Sequence, residues 1–287
     1  MTLTVPAYAK INLFLDVVGK RDNGYHDIVS VMQSVSLCDT LTVSRTEGLD
    51  IAVHGGGLPN DETNLIVRAA RAYFAHSGAP FGVSVMLDKQ IPMAAGLGGG
   101  SADAAAMIKA LNALDKDRFT VAELAAIGAK IGADVPFCVQ GGTCLCKGVG
   151  EVLTPLESAA RTPLVIAIAG EGVSTPAAFT MLDQRYQNYV NYADAVSPDG
   201  LIDAMQKGDA IATVSALFNR FEEVIMPQRP AVSQIKEMLI AHGALAAQMS
   251  GSGPAVFGVF ADEAAAGHAA DRLKSAGVRA YACKTLA

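Results

Sequence analysis

The stretch Pro92-Met93-Ala94-Ala95-Gly96-Leu97-Gly98-Gly99-Gly100-Ser101-Ala102-Asp103 sets four glycines and a serine directly before an alanine-rich run. Glycines let successive backbone N–H groups turn toward one anion, and the unpartnered amides of a following helix add partial positive charge. The stretch therefore reads as a phosphate cradle, with a flexible connector as the plain alternative. It matches neither common nucleotide motif. A P-loop needs Gly-Lys-Ser/Thr at its end, and this loop has no lysine. A dinucleotide fingerprint begun at Gly96 meets Ser101 where glycine or alanine is required, and one begun at Gly98 meets Asp103. The protein-kinase landmarks His-Arg-Asp and Asp-Phe-Gly are absent as well.

With 287 residues, 51% of them hydrophobic, the chain can build one large or two ordinary domains, and two are expected. There is no tryptophan and only 6% aromatic content, so packing relies on small aliphatic side chains. The net charge of −6 and the lack of any basic cluster argue against polynucleotide binding. An acidic protein that handles phosphate must make local positive potential from backbone amides and a few placed lysines. Five cysteines, an odd number with no C-x-x-C pair, predict reduced thiols. The five histidines have no ligand spacing, so no protein-built metal site is expected. No basic leader and no apolar run of about 18 residues is present, which predicts a cytoplasmic protein without a membrane partner. A monomer or weak homodimer is expected.

Outward from the loop, residues 3–18 alternate as a strand, with Leu3, Val5, Ala7, Ala9, Ile11, Leu13, Leu15 and Val17 on one face and Lys10 and Asn12 on the other. That second face is either solvated or presents an amino group and an amide to a site. Gly24-Tyr25-His26-Asp27 follows a charged turn, where its two rings could stack on a base or decorate the surface. Strands are predicted at 28–37, 40–45, 50–54 and 82–87, and helices at 64–77, 101–113 and from Thr120 to about 131. The second helix follows the cradle, and the third opens on the capping-box spacing Thr120-Val121-Ala122-Glu123. Asp134, in Gly132-Ala133-Asp134-Val135-Pro136-Phe137, reads as a buried acid that either caps a short helix or does chemistry. Strands at 141–147 and 150–153 close a first domain, 1–157, and a strand at 163–170 opens a second, 158–287. Residues 177–225 read as helical, with Tyr186, Tyr189 and Tyr192 on one face. A helix over 230–243, a glycine-rich turn at 247–254, a strand at 255–260, a helix at 263–276 and a strand at 278–284 complete the chain.

Five segments recur together in one known superfamily. They are Pro-Ala-Tyr-Ala-Lys-Ile-Asn-Leu at 6–13, Gly-Tyr-His at 24–26, the cradle at 92–103, Gly-Ala-Asp-Val-Pro-Phe at 132–137 and Met-Ser-Gly-Ser-Gly-Pro at 249–254. In this order they resemble the galactokinase, homoserine kinase, mevalonate kinase and phosphomevalonate kinase (GHMP) superfamily over nearly the whole chain. The Lys/Asn strand and the Gly-Tyr-His turn look like its branch that phosphorylates a cytidine-diphosphate-linked methylerythritol in non-mevalonate isoprenoid synthesis.

The resemblance implies a two-domain α+β fold, with an N-terminal domain similar to ribosomal protein S5 domain 2, a C-terminal α/β sandwich and a site in the cleft between the halves. It implies ATP on Pro92, Met93, Ala94, Ala95, Gly96, Leu97, Gly98, Gly99, Gly100, Ser101 and Ala102, with Asn64 and Leu65 near the adenine and Mg2+ arriving with the ATP. It implies a catalytic pair, Lys10 and Asp134. Tyr25, His26 and Phe179 would hold the cytosine of the small-molecule cytidine diphosphate substrate, and Asn12 and Thr175 would position the rest of it. Two departures stand out: residues 182–200 match no family motif, and Ala94 and Ala95 replace glycines often found in such cradles. A mevalonate- or homoserine-type kinase is the alternative enzyme. A non-catalytic nucleotide sensor is the alternative of another class, and the presence of both Lys10 and Asp134 argues against it.

Overall fold

Alternating small and β-branched residues form one long strand, β1 (Thr2–Lys20). In the charged turn after it the Arg21 amide donates to the Tyr25 carbonyl at 2.7 Å, and the chain returns as β2 (His26–Thr46). The computed structural model describes residues 1–157, 161–171, 173–186 and 195–287. After β2 come β3 (Ile51–Gly55), α1 (Leu65–Ser77), β4 (Gly82–Asp88), α2 (Gly99–Leu114), α3 (Val121–Ala129), α4 (Val135–Gln140), β5 (Thr143–Lys147) and β6 (Val152–Leu156). Then follow β7 (Pro163–Ile168), α5 (Thr175–Tyr186), α6 (Asp199–Gln206), α7 (Ala210–Ser215), β8 (Phe218–Asn219) and α8 (Glu222–Ile225). The chain ends with α9 (Pro230–Ala241), β9 (Ala246–Met249), β10 (Ala255–Val259), α10 (Glu263–Ser275) and β11 (Ala280–Lys284).

Two compact units are interleaved along this order. The first comprises Met1–Ala9, Leu37–Met93 and Gly98–Gly141. Its sheet runs β3-β4-β2, with β4 antiparallel to β2 in the register Leu41↔Leu87 and Val43↔Val85, and β3 parallel to β4. Helix α2 packs on α1, α3 and α4. Its Ala102, Ala104, Ala105 and Ala106 are all buried, which lets backbones approach closely. Asn64 caps α1 by accepting from the Ile66 amide at 2.9 Å, and Gly78 ends it in the left-handed conformation. The Thr120–Glu123 capping box forms as its spacing predicts.

The second unit comprises Lys10–Ser36, Ala94–Leu97 and Gly142–Ala287. Here β2 pairs with β5, β5 with β6, and β1 runs parallel to β8 through Phe14↔Phe218 and Leu15↔Asn219. A second sheet, ordered β11-β7-β10-β9, carries α9 and α10 and centres on the fully buried Ile166, Val256 and Phe257. The expected boundary at 157/158 adjoins residues 158–160, outside the described residues.

Several local expectations change. The strands expected at 28–37 and 40–45 are one, and Asp39 between them is held there by hydrogen bonds from the Gln90 and Ile91 amides at 2.5 and 2.7 Å. Helix α2 begins two residues early, since Gly98 adopts φ +67 and serves as its N-cap. The helical reading of 177–225 breaks: α5 stops at Tyr186, α6 and α7 are short, and Phe218–Asn219 is a strand. Pairing with β1 holds that strand, as do Asn219 Nδ2 bonds to the carbonyls of Met249 and Gly251 at 2.7 and 2.9 Å. Tyr189 and Tyr192 lie outside the described residues.

Candidate active site

In the second unit, β1 passes through a region buried on both sides from Ala9 to Val17, so its Lys10 face is not solvated. Lys10 is 5% exposed and Asn12 1%, and buried polar groups there must be paired. Lys10 Nζ donates to Asn12 Oδ1 at 2.7 Å, Asn12 Nδ2 to Ser30 Oγ at 2.9 Å, and Ser30 Oγ to the Phe14 carbonyl at 2.7 Å. The ammonium is thus aimed by a relay whose last acceptor is strand backbone. Alternation puts Lys10 and Asn12 on one face; Ser30 comes from the register of β2 and is not readable from spacing.

The glycine-rich turn 250–253 closes on the same place. Asn12 N donates to Ser250 Oγ at 3.3 Å, Ser250 Oγ donates to the Gly96 carbonyl at 2.9 Å, and Lys10 N donates to the Leu97 carbonyl at 2.9 Å. Gly96, at φ +79, has no room for a side chain, since a Cβ would run into the Ser250 carbonyl oxygen. At Gly251 a Cβ would stand 3.5 Å from Lys10 Nζ. Residues 94–97 and 250–251 are therefore held together closely; Ala95 is buried there, while Ala94 adopts φ +52, the left-handed conformation that favours glycine. Ala95 O accepts from the Ala255 amide at 3.1 Å.

A second cluster in this unit joins the β1–β2 turn to α5. His26 stacks on Phe179 with centroids 4.4 Å apart and planes 11° from parallel, while Phe221 meets Phe179 edge-on at 5.0 Å. Asp183, one helical turn after Phe179, accepts from His26 Nε2 at 2.7 Å and from Lys20 Nζ at 2.6 Å. Partial burial works to raise the Asp183 carboxyl, but the hydrogen bonds and positive charge of Lys20 and His26 outweigh it and hold the group below its ordinary range. Tyr25 stands exposed at the turn and does not share the stack. Thr175, at the start of α5, lies 3.3 Å from Ser252 Oγ. Asp183 was missed by sequence reading, although its spacing of four from Phe179 on a helix was the available signal.

In the first unit the rest of the loop leads into α2. The amides of Gly99, Gly100 and Ser101 fall in the first turn, where no intrahelical acceptor exists, and Gly98 caps with no side chain. A Cβ at Gly99 would lie 3.0 Å from Ile91 Cγ2 and 3.1 Å from Lys89 Nζ, and one at Gly100 3.2 Å from Leu65 Cδ1. Any side chain there would press on Ile91, Lys89 or Leu65, and with glycine what remains is a row of N–H groups fit for a polyphosphate. Pro92 and Met93 precede it, Met93 being exposed, and buried Ala102 follows. Asn64 has both side-chain functions engaged, Oδ1 accepting from the Ile66 amide and Nδ2 donating to the Pro59 carbonyl, which fixes its orientation at the head of α1.

Asp134 heads α4, but its carboxylate makes no cap bond to that helix, and the residue is half-buried where the sequence reading expected a buried one. Capping is therefore not its role. Lys10 belongs to the second unit and Asp134 to the first.

Residues 64–142 match the model of the GHMP kinases N terminal domain, and 201–279 that of the GHMP kinases C terminal region. A Moorella thermoacetica protein named 4-diphosphocytidyl-2-C-methyl-D-erythritol kinase is 42% identical over 285 residues, covering 99% of each chain. The chain belongs to the GHMP kinases, in the family of the 4-diphosphocytidyl-2-C-methyl-D-erythritol kinases. A Gloeobacter violaceus protein of the same name is 40% identical to this GHMP kinase over 99% of its chain and 94% of the relative's. A crystal structure titled 4-(cytidine 5'-diphospho)-2C-methyl-D-erythritol kinase superposes with TM-score 0.85 at 32% identity, covering 99% of this chain and 100% of that one. Homoserine kinase from Cytophaga hutchinsonii, at TM-score 0.77 and 19% identity over 99% of this chain and 94% of its own, shares the fold. GHMP kinases take their phosphate from ATP. Among the described residues no helix is long and apolar enough to cross a membrane.

Proposed function

We propose that this protein transfers the γ-phosphoryl group of ATP to the 2-hydroxyl of 4-diphosphocytidyl-2-C-methyl-D-erythritol. The observation that carries this reading is the full-length likeness to kinases of that name, joined to a buried, aimed lysine and a lysine-free row of amides. Residues 92–102 receive the triphosphate, and Asn64 and Leu65 border the adenine. Residues 1–157 supply the nucleotide site, the catalytic groups and part of the acceptor site, and 158–287 supply Thr175 and Phe179 to the acceptor site. His26, Phe179 and Tyr25 take the cytosine, while Asn12 and Thr175 position the diphosphate and methylerythritol.

Phosphoryl transfer depends mainly on positioning and charge stabilisation. Asp134 takes the proton of the attacking tertiary hydroxyl, or orients it, and Lys10 stabilises the negative charge that develops. Mg2+ arriving with ATP supplies further neutralisation of the phosphates. The Asn12–Ser30 relay keeps the Lys10 ammonium from swinging, since Asn12 Oδ1 fixes it from the strand.

The test is phosphorus NMR of the product formed from the cytidyl substrate and MgATP. A new phosphomonoester on the 2-hydroxyl, beside an intact diphosphate, is expected. Turnover of mevalonate or homoserine with the cytidyl substrate untouched would overturn the assignment. Asp134→Asn and Lys10→Ala are each expected to lower kcat on the order of a hundredfold while ATP still binds. Near-normal turnover in both variants removes the roles given to them.

A further inference from the structure

Beneath the amide row of α2 lies a buried charge cluster that the transfer reaction does not use. Lys89 Nζ donates to Asp39 Oδ2 at 2.5 Å and to Asp103 Oδ2 at 2.8 Å, with Asp39 fully buried, Asp103 1% exposed and the Lys89 side chain 12% exposed. Asp39 is well supplied with donors, its Oδ1 accepting from the Gln90 and Ile91 amides. Asp103 is not: its Oδ1 is buried with no hydrogen-bond partner. The same Lys89 ammonium reaches the underside of Gly99, the first residue of the row. Two carboxylates share one ammonium, so the cluster carries an excess negative charge when both are ionised and none when one holds a proton.

We propose that Asp103 sets the charge under the nucleotide loop, taking up a proton at its unpartnered Oδ1 when a triphosphate settles on residues 92–102. The inference rests on reading that loop as the ATP site. A buried carboxylate oxygen without a donor is costly, and a proton there removes the charge, while the neighbouring Asp39 carboxylate favours the protonated form. Burial is the largest influence on Asp103 and, with Asp39, carries its carboxyl up to about 7 against the opposing pull of Lys89. The group is therefore poised where a nearby anion moves its proton occupancy. The charges acting on it are those of Lys89, from the segment before the loop, and Asp39, from β2. Other charged and titratable groups on α2 and on the helices packed against it are engaged elsewhere: Arg68 donates to the Ile131 carbonyl, Lys109 to the Cys138 carbonyl and Tyr73 to Asp115, Arg71 pairs with Glu62, His76 packs on Phe119, and Glu123 accepts from the Thr120 amide. Asp134, at the head of α4, belongs to the catalytic pair proposed above.

Asp103→Asn keeps the shape of the protonated acid and cannot titrate. Calorimetric titration of the full-length protein with MgATP at pH 7.5, in two buffers of different ionisation enthalpy, counts the protons exchanged. Uptake of about half a proton is expected in the wild type and none in Asp103→Asn. Wild-type affinity is also expected to fall about fivefold relative to the variant between pH 6 and 8.5. Equal proton counts in the two proteins, with MgATP bound to both, overturn the proposal and leave the loop reading standing. A wild type that binds no MgATP overturns the loop reading, and the proposal with it. Infrared spectra of the wild type, labelled at aspartate, give a measurement independent of the variant's folding. A carboxylic C=O band that grows on MgATP addition supports the proposal, and an unchanged band overturns it.

Discussion

Asp103 separates two kinds of buried acid in this chain. Asp39 has donors for both oxygens, whereas Asp103 has one for two, and the difference is visible only after β2, the 89–91 segment and α2 have been brought together. With its carboxyl raised from 3.8 to about 7, the folded state holds a proton that the unfolded chain has already lost. The contribution of Asp103 to stability is therefore expected to fall as pH rises from about 4 to about 7 and to stay flat above. Urea midpoints of wild type and Asp103→Asn, compared at pH 5 and pH 8, check this: relative to the variant, the wild type loses stability at the higher pH. None of this was legible in the sequence, since Asp39 and Lys89 stand 50 positions apart. Lys10 and Asn12 were legible, because two residues apart on a strand means one face. What the alternation left open was that face's surroundings, which are buried by residues from distant segments such as Ser30 and Ser250.

Helix α5 is the element that most extends the sequence reading. Its Phe179 and Asp183 face His26 together, one stacking on the ring and the other accepting from its Nε2. A charge-assisted hydrogen bond of this kind fixes the orientation of an imidazole. Asp183→Asn is expected to raise KM for the cytidyl substrate about tenfold or more, with kcat and the KM for ATP little changed. Steady-state kinetics with each substrate varied in turn will show the split. A fall in kcat alone would assign Asp183 to scaffolding. The helix itself was anticipated, but its end was not, and the short strand at 218–219 was hidden. Two residues carry no periodicity, and their pairing is decided by Asn219 bonds to a distant turn. By contrast, α1 and α3 followed their caps, and α9 its apolar spacing from Pro230, because those signals are local.

At the scale of the molecule, the α+β class and the family were legible because five motifs lie in a fixed order, and each one proved to sit on a turn, cap or strand that its residues explain. The division into units was not. The chain passes from one compact unit to the other after residues 9, 36, 93, 97 and 141, so the strands β1 and β2 and the glycine loop each belong to both. Such threading has a practical meaning for anyone who would take the protein apart. A single cut, at 157 or anywhere else, leaves no fragment that contains one whole unit and nothing of the other. Recombination with a related kinase would succeed only by exchanging several segments at once, and the glycine run of residues 92–103 is the shortest of the shared stretches that such a graft would have to carry intact.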